Sequence, residues 1–165
     1  MNVNLHEMTV QSIAEVEDSY RSNNLEIIYK GTENAPIVCA DSQKAWRVID
    51  NLLSNARKYS LPGSRVYVEV GSKGKAGFFS VKNVSKQALN INAEELTQRF
   101  VMGDSSRTNE GSGLGLSIAK DLCALQRGRL NLEIDGDLFK ATMELPLAKS
   151  GSNTQNVKPD SGENR

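Results

Sequence analysis

The sequence is poor in the residues that would build a metal cluster, a disulfide framework or a membrane span. It has one histidine and two cysteines among 165 residues. Cys39 and Cys123 stand in apolar surroundings with no C-x-x-C or histidine spacing nearby, which favours two reduced core thiols over a zinc site or a disulfide. No apolar run approaches the length of a transmembrane helix, and no secretory signal pattern is present. We therefore expect a soluble, cytoplasmic fragment. This expectation is also compatible with a parent protein that is anchored in the membrane.

A net charge is also lacking, because 20 basic residues balance 20 acidic ones. Without a basic excess there is no overall field to attract nucleic acid or anionic lipid, so we expect contact with neither. The length suits one domain with a sizeable core. Past Pro146 the composition changes to Ser, Asn, Gly and Lys with little to bury. These features predict a domain over residues 1–147 and a disordered polar tail over 148–165.

Hydrophobic periodicity predicts alternating helices and strands. Helices are predicted over 9–22 with Thr9 as the cap, from Asp41 or Ser42 to near Ser60, briefly over 93–101, and from 114 to a stop at Gly128. Short strands are predicted at 3–5, 25–29, 37–40, 65–70, 77–82, 130–134 and 138–145. This order predicts an α+β fold, a two-layer sandwich of a mixed, mostly antiparallel sheet and about three main helices.

The helix near residues 42–60 mixes polar and apolar residues unusually. At about 100° per residue, Asn51, Asn55 and Lys58 fall within an arc of roughly 60°, beside a wide apolar arc. Asp50 and Arg57 project from the other side of that apolar arc, so we interpret Asp50 as a solvated charge. Two readings remain open for the polar edge: a binding surface, or asparagines that merely bond to loops beside a solvated lysine.

A glycine-rich stretch, G-S-G-L-G-L at residues 111–116, opens directly into the last predicted helix. Glycines at a helix N-terminus let backbone N–H groups approach an anion, and the helix dipole favours negative charge there. The stretch is not a P-loop, because no G-K-[ST] follows, and no strand precedes it as the dinucleotide fingerprint requires. Taken alone it fits a phosphate cradle or a flexible hinge equally well.

A phosphate-binding loop together with amides suited to a hard cation is what a magnesium–nucleotide site requires. Here the sequence resembles the catalytic ATP-binding domain of sensor histidine kinases, of the Bergerat or GHKL fold, within the wider group of gyrase, Hsp90 and MutL. Residues 51–60, N-L-L-S-N-A-R-K-Y-S, resemble the kinase N-box, and residues 111–116 resemble the second glycine box. Arg99-Phe100 and residues 104–107 resemble the lid motif, so the resemblance spans about residues 3–146.

The resemblance implies ATP and Mg²⁺ as cofactors and assigns roles to individual residues. Asn55 would ligate Mg²⁺, Asn51 would support the phosphate and metal end, and Lys58 would reach a phosphate; Asn51 and Lys58 are the catalytic candidates. Tyr59 would pack on the adenine, although its spacing fits an ordinary core aromatic equally well. The remaining candidate nucleotide-binding residues are Asn83, Gly111, Gly113, Leu114, Gly115 and Leu116.

Two departures from the family pattern stand out. The first glycine box, D-x-G-x-G, should begin near Asn83, but its glycines are absent and an asparagine replaces the aspartate that accepts a hydrogen bond from the adenine amino group. The Asn83 amide oxygen can still accept that bond as a neutral and weaker partner. In the lid, Met102 occupies the place where family members often carry an arginine.

Asn51 also bears on the reaction type. The gyrase-like ATPases of the resemblance carry at this position a glutamate that activates water, which an asparagine cannot do. We therefore expect transfer of the ATP γ-phosphate to a histidine on a separate dimerisation domain of the parent kinase, with a response regulator downstream. His6 precedes Glu7 but lacks the expected proline and the room for a helical hairpin, so we interpret it as a surface or core-edge residue. The alternatives are a degenerate nucleotide-binding or regulatory module and, third, a gyrase-type ATPase.

Overall fold

The structure is a computed structural model that describes residues 1–89 and 114–149, apart from the side chain of Leu114. In chain order the elements are β1 (Asn2–Asn4), α1 (Leu5–Ser22), β2 (Glu26–Lys30), β3 (Ile37–Cys39), α2 (Ser42–Tyr59), β4 (Arg65–Lys73), β5 (Ala76–Val84), α3 (Leu114–Leu125), β6 (Arg129–Asp135) and β7 (Leu138–Pro146). The predicted helix at 93–101, the lid residues and the tail from residue 150 lie outside the described residues.

The main sheet has five strands in the order β2-β4-β5-β7-β6. Strand β2 pairs parallel to β4, and the other neighbours pair antiparallel. Strands β1 and β3 form a small antiparallel sheet beside it. The predicted α+β sandwich with a mixed, mostly antiparallel sheet is confirmed.

The three helices of the described ranges pack on one face of the main sheet. Strand residues alternate between that face and the opposite one, as the two-residue period requires. The helix-facing side chains are buried: Val66, Val68, Val70, Phe79, Val81, Ala141, Met143 and Leu145. The opposite face is open, since Tyr67 is 43% exposed and the Lys82 ammonium lies 5.3 Å from the centre of its ring.

Helix α2 is the centre of the core, and its predicted apolar arc is confirmed. All six residues of that arc are at most 3% exposed: Ala45, Val48, Ile49, Leu52, Leu53 and Ala56. Burying a leucine, isoleucine or valine side chain contributes about 1.5–3 kcal/mol each. This arc therefore holds α2 against the sheet and leaves its polar edge facing away from the centre of the core.

The start of α1 differs from the prediction. The helix begins at Leu5, where the Asn4 side chain accepts a hydrogen bond from the Glu7 N–H at 3.1 Å. Asn4 is a strong N-cap residue that ends β1 in an extended conformation, so the helix starts one turn before the predicted cap, Thr9. Thr9 itself is fully buried within the helix.

At the other end of α1, the Tyr20 hydroxyl donates to the Leu53 carbonyl at 2.6 Å and joins α1 to α2.

The buried face of α3 consists of Leu116, Ala119 and Cys123, whereas Leu125 at the end of the helix is 70% exposed. The small side chains of Ala119 and Cys123 let α3 approach its neighbours closely. The chain then turns at Gly128, where an added Cβ would lie 2.2 Å from the Glu144 carbonyl oxygen.

The two cysteines are free thiols in different surroundings. Cys123 is buried as predicted, and burial raises its pKa to about 12. Cys39 is exposed, contrary to the prediction of a core residue, because its three-residue strand turns Val38 inward instead.

Backbone pairing continues just past the predicted end of the domain. The Leu147 N–H donates to the Lys75 carbonyl, and the Ala148 N–H donates to the Ile37 carbonyl. The domain boundary near residue 147 and the disordered tail stay predictions. Within the described ranges, no helix is both long enough and apolar enough to span a bilayer.

Candidate functional site

Both ends of α2 are fixed by hydrogen bonds. At its start, Asp41 accepts from the N–H groups of Gln43 and Lys44 at 3.0 and 3.1 Å. The Lys44 backbone N–H and then its side chain hold the pKa of the Asp41 carboxyl below the usual value. At its end, the Lys86 N–H donates to the Tyr59 carbonyl at 2.9 Å. The C-terminal turn of α2 is thus joined to the end of β5.

The predicted polar edge of α2 is present, with Asn51, Asn55 and Lys58 all partly buried and Asp50 exposed as expected. The Asn51 Nδ2 atom is buried and has no hydrogen-bond partner in the described part of the chain. A buried donor without a partner costs about 1–3 kcal/mol. The Asn51 amide is therefore suited to a polar ligand beside α2, and a half-turn about its last torsion would present the amide oxygen at the same point.

Asn83 is placed by the alternation of β5. Phe79, Val81 and Asn83 share the helix-facing side of the strand, and Asn83 is only 3% exposed. It lies opposite Phe139 of β7. The Leu61 N–H donates to the Val84 carbonyl at 2.8 Å, which keeps this end of β5 beside the end of α2.

Tyr59 and the glycine-rich residues are placed only in part. Tyr59 is half-buried, with further contacts besides the bond to its carbonyl. Gly111 and Gly113 lie outside the described residues, whereas Leu114, Gly115 and Leu116 form the first turn of α3. The Leu116 side chain is 1% exposed in the core, so only its backbone N–H is placed to meet a ligand. The first four N–H groups of a helix have no partner within the helix.

Gln126 links the C-terminal end of α3 to the start of α2. Its side-chain oxygen accepts from the Asp41 N–H at 3.1 Å, and its Nε2 donates to the Leu122 carbonyl at 2.9 Å. The C-terminal end of α3 is thereby held at the N-terminal end of α2. Because the two helices also pack together, α3 runs back along α2 in the opposite direction.

The length of α3 brings its N-terminus to the polar edge of α2. From Gln126 back to Leu114 the helix rises about 18 Å at 1.5 Å per residue. The same rise along α2 from Asp41 reaches about the level of Leu53, between Asn51 and Asn55. We infer that the free N–H groups and positive dipole end of α3 lie at about the level of these two amides, an arrangement that would attract anions such as phosphates.

The sequence did not reveal the role of Gln126, since nothing in a helical pattern shows that a polar residue past the last turn will reach another helix.

His6 was predicted correctly to lie at the surface or the edge of the core, although it lies within α1 rather than before it. The His6 Nδ1 and the Tyr29 hydroxyl are 2.6 Å apart, and their rings are stacked. Burial raises the pKa of Tyr29.

Comparison with known proteins identifies the family of the chain. Residues 40–149 match the family described as histidine kinase-, DNA gyrase B- and HSP90-like ATPases. The chain is 34% identical over 106 residues to the probable sensor protein PcoS of Escherichia coli, covering 63% of the chain and 23% of that protein. It is 32% identical over 122 residues to the probable sensor kinase SilS of Salmonella typhimurium, covering 72% and 24%. The chain thus spans about a quarter of the length of these relatives.

Among solved structures, the fold is similar to the catalytic domain of histidine kinase ThkA in a nucleotide-free form. The TM-score is 0.75 at 21% identity, over 89% of this chain and 95% of that one. This likeness concerns the fold, whereas the family match covers both α2 and the first turn of α3. The chain belongs to the family of histidine kinase-, DNA gyrase B- and HSP90-like ATPases, as an ATP-binding catalytic domain of the sensor histidine kinase type.

Proposed function

We propose that the chain binds ATP with Mg²⁺ between α2 and the first turn of α3, and transfers the γ-phosphate to a histidine on a separate dimerisation domain. The observation that supports this most is the buried Asn51 Nδ2 atom on the polar edge of α2, which has no hydrogen-bond partner in the described part of the chain. The level inferred for the first turn of α3 along α2 is close to it. Free N–H groups at a helix start and a buried amide donor together suit the oxygens of a polyphosphate.

The donor set also fits a magnesium ion that arrives with the nucleotide. Within the described residues there is no group of three or more His, Cys, Asp or Glu side chains able to hold a metal alone. Mg²⁺ in nucleotide sites commonly takes one or two protein oxygens besides phosphate oxygens and water. Asn55 would supply such an oxygen, and Lys58 together with the N–H groups of Gly115 and Leu116 would bind phosphate.

Transfer rather than hydrolysis follows from what the polar edge lacks. An asparagine amide is not a base at neutral pH, so Asn51 cannot take a proton from water. Asp50 is exposed on the other side of the apolar arc. With no water-activating group on the polar edge of α2, catalysis would consist of positioning and charge neutralisation for an external nucleophile. His6 is not that nucleophile, because its ring is engaged with Tyr29 at the edge of the core.

Binding is tested by thermal unfolding with Mg-ADP and with a non-hydrolysable ATP analogue. At a ligand concentration 100 times Kd, linkage stabilises the folded state by about 2.7 kcal/mol, which is a clear upward shift of Tm. The N55A variant should lose most of the shift that depends on Mg²⁺, whereas D50A, an exposed neighbour on the same helix, should keep it. An unchanged Tm at millimolar nucleotide would contradict the proposal.

Transfer is tested by mixing the chain with labelled ATP and the dimeric helical hairpin of its own parent protein. Acid-labile, base-stable phosphate on the hairpin is the expected result. Nucleotide binding without phosphohistidine would favour a degenerate regulatory module, an alternative suggested by Asn83 in place of an aspartate. Steady release of phosphate from the isolated domain would instead favour an ATPase.

A further inference from the structure

Strand β2 forms one edge of the main sheet, and within the described ranges it pairs only with β4. The Glu26 N–H donates to the residue that precedes β4, whereas the Leu25 N–H donates away from β4 to the end of α1. Successive residues of a strand point their backbone groups to opposite sides, so the N–H and C=O groups of Ile27 and Tyr29 face outward. No described residue pairs with these groups. An edge of this kind can accept another strand.

The charges at the two ends of β2 are complementary. Glu26 begins the strand, Lys30 ends it and Ile28 lies at its centre. The three side chains lie on the open face of the sheet, because Ile28 is paired with Tyr67. In antiparallel pairing with a second copy about Ile28, each Glu26 lies opposite a Lys30, and opposite charges directly across an antiparallel pair are stabilising. Parallel pairing in register would instead place like charges side by side.

The same antiparallel register satisfies the outward backbone groups. Ile27 of one copy lies opposite Tyr29 of the other, and two residues that face each other with outward groups exchange both N–H···O bonds. Ile28 lies opposite its own counterpart at the two-fold axis, in a pair without main-chain hydrogen bonds. A shift by one residue would set Ile28, whose backbone groups point to β4, against the outward groups of the second copy. Charge and hydrogen bonding therefore select the same register.

Apolar side chains flank this edge on the helix side. Ile27 and Tyr29 are partly buried and pack against the core. The Tyr29 hydroxyl lies 2.6 Å from His6 Nδ1, so His6 marks the flank of α1 on the β2 side. Val10 follows His6 by one helical turn on the same flank and is 44% exposed. A second copy paired along β2 brings its own α1 to this flank.

We propose that two copies of this domain associate by antiparallel pairing of their β2 strands, in a symmetric dimer with one sheet running through both copies. The other edge strand, β6, suits such pairing less well. It carries one cation and two carboxylates, and its Arg129 already contacts Glu144 of β7 at 2.5 Å. Lys30, by contrast, makes no ion pair with another described residue, and the contact of Glu26 with Arg65 at 3.7 Å is solvent-exposed.

Such a dimer is weak between free domains, because strands of 5 residues bury much less than the roughly 1,200 Å² of a stable interface. Tethering two copies in a dimeric parent protein would raise their effective concentration to about the millimolar range. That step alone rests on the proposed function, whereas the pairing of the strands does not.

A disulfide trap tests the register. The C39S/I28C variant removes the exposed native thiol and places a new one at the two-fold axis. The two Cα atoms would lie about 4.5 Å apart, within the range of about 4.4–6.8 Å that a disulfide spans. Under mild oxidation at about millimolar concentration, this variant should form a covalent dimer at least about tenfold faster than C39S/E26C. The two E26C thiols would lie about 14 Å apart along the strands.

Charge reversal tests the chemistry of the pairing. In the C39S/I28C background, E26K or K30E should slow the crosslinking about fivefold or more, because each replaces the Glu–Lys contacts of the dimer by contacts between like charges. The double variant E26K/K30E exchanges the two charges and should recover the rate. E133K, a matched control at an exposed position of β6, should leave the rate unchanged.

Equal crosslinking of I28C and E26C would show random collision and overturn the proposal, as would a double charge reversal that stays slow. Should I28C lose the circular dichroism of wild type, sedimentation equilibrium of wild type against K30E decides. A dimer of wild type alone at about millimolar concentration would support the proposal, and identical behaviour of the two proteins would overturn it. Failure of wild type to bind Mg-ADP would concern only the proposed function, because the strand pairing needs no nucleotide.

Discussion

The Gln126 side-chain oxygen accepts a hydrogen bond from the Asp41 N–H at 3.1 Å, and this bond joins the end of α3 to the start of α2. The two residues are 85 positions apart in sequence. Each belongs to a helix end, where backbone groups lack partners within the helix. The contact satisfies one such group and at the same time sets the level at which the first turn of α3 meets α2.

The first prediction follows from that contact. Q126A should lower the free energy of unfolding by about 1–3 kcal/mol, because it removes two hydrogen bonds from a side chain that is only 9% exposed. Nucleotide affinity should fall as well, since α3 is no longer held in register. Urea unfolding and titration with Mg-ADP measure the two effects. Q87A, at an exposed position, is the control; equal stability of the two variants would show that the contact contributes little.

A second prediction concerns the buried hydroxyl of Tyr20. Y20F should destabilise the domain by about 1–2 kcal/mol, because the Leu53 carbonyl loses its donor at 2.6 Å. Y67F, on the exposed face of the sheet, should change the free energy of unfolding by much less. Urea unfolding at neutral pH compares the two variants, and a Y20F protein as stable as wild type would contradict the prediction.

The Tyr20 hydroxyl should also make stability depend on alkaline pH. Burial raises the pKa of Tyr20 in the folded state above that of the unfolded chain, which is about 10. The folded protein then holds a proton that the unfolded chain releases, so this contribution is complete below about pH 10 and is lost as pH rises beyond it. The stability difference between wild type and Y20F should therefore shrink between pH 9 and 11. A constant difference across that range would refute the assignment.

Thiol reactivity gives a third kind of test. Cys39 is exposed, so an aromatic disulfide reagent at pH 8 should label one thiol per chain quickly. Cys123 is fully buried with a pKa of about 12, so it should react only when the chain unfolds. The variant C39S should show no fast phase. Two fast thiols in wild type would mean that α3 opens readily.

Replacing Asn51 should affect stability and nucleotide affinity in opposite directions. N51A removes a buried donor without a partner and places a better helix former in α2, so the free domain should be equally stable or more stable by up to about 1 kcal/mol. Affinity for Mg-ATP should nevertheless fall at least about tenfold, because one phosphate contact is lost. Thermal unfolding with and without nucleotide measures both. A free domain destabilised by more than 1 kcal/mol would assign Asn51 a structural role instead.

Much of the fold could be predicted because it depends on local pattern. The alternation in β4 and β5 and the six-residue apolar arc of α2 are readable from residue order alone, and the structure confirms them. The start of α1 was predicted wrongly, because Asn4 leaves β1 in a capping conformation and the helix begins one turn before Thr9. Cys39 was predicted to be a core residue but is exposed, because its short strand turns Val38 inward.

The sequence by itself determined the composition of the candidate site: two amides and a lysine along one edge of α2, glycines ahead of α3, and an asparagine where the resembled family has an aspartate. Only the tertiary structure decided that α3 packs against α2 and that Asn83 is buried on the helix-facing side of the sheet. The level of α3 along α2 depends on the contact between Gln126 and Asp41, and the burial of Asn83 depends on the pairing of β5 with β7. Both are interactions between residues distant in sequence, and periodicity along the chain carries no information about them.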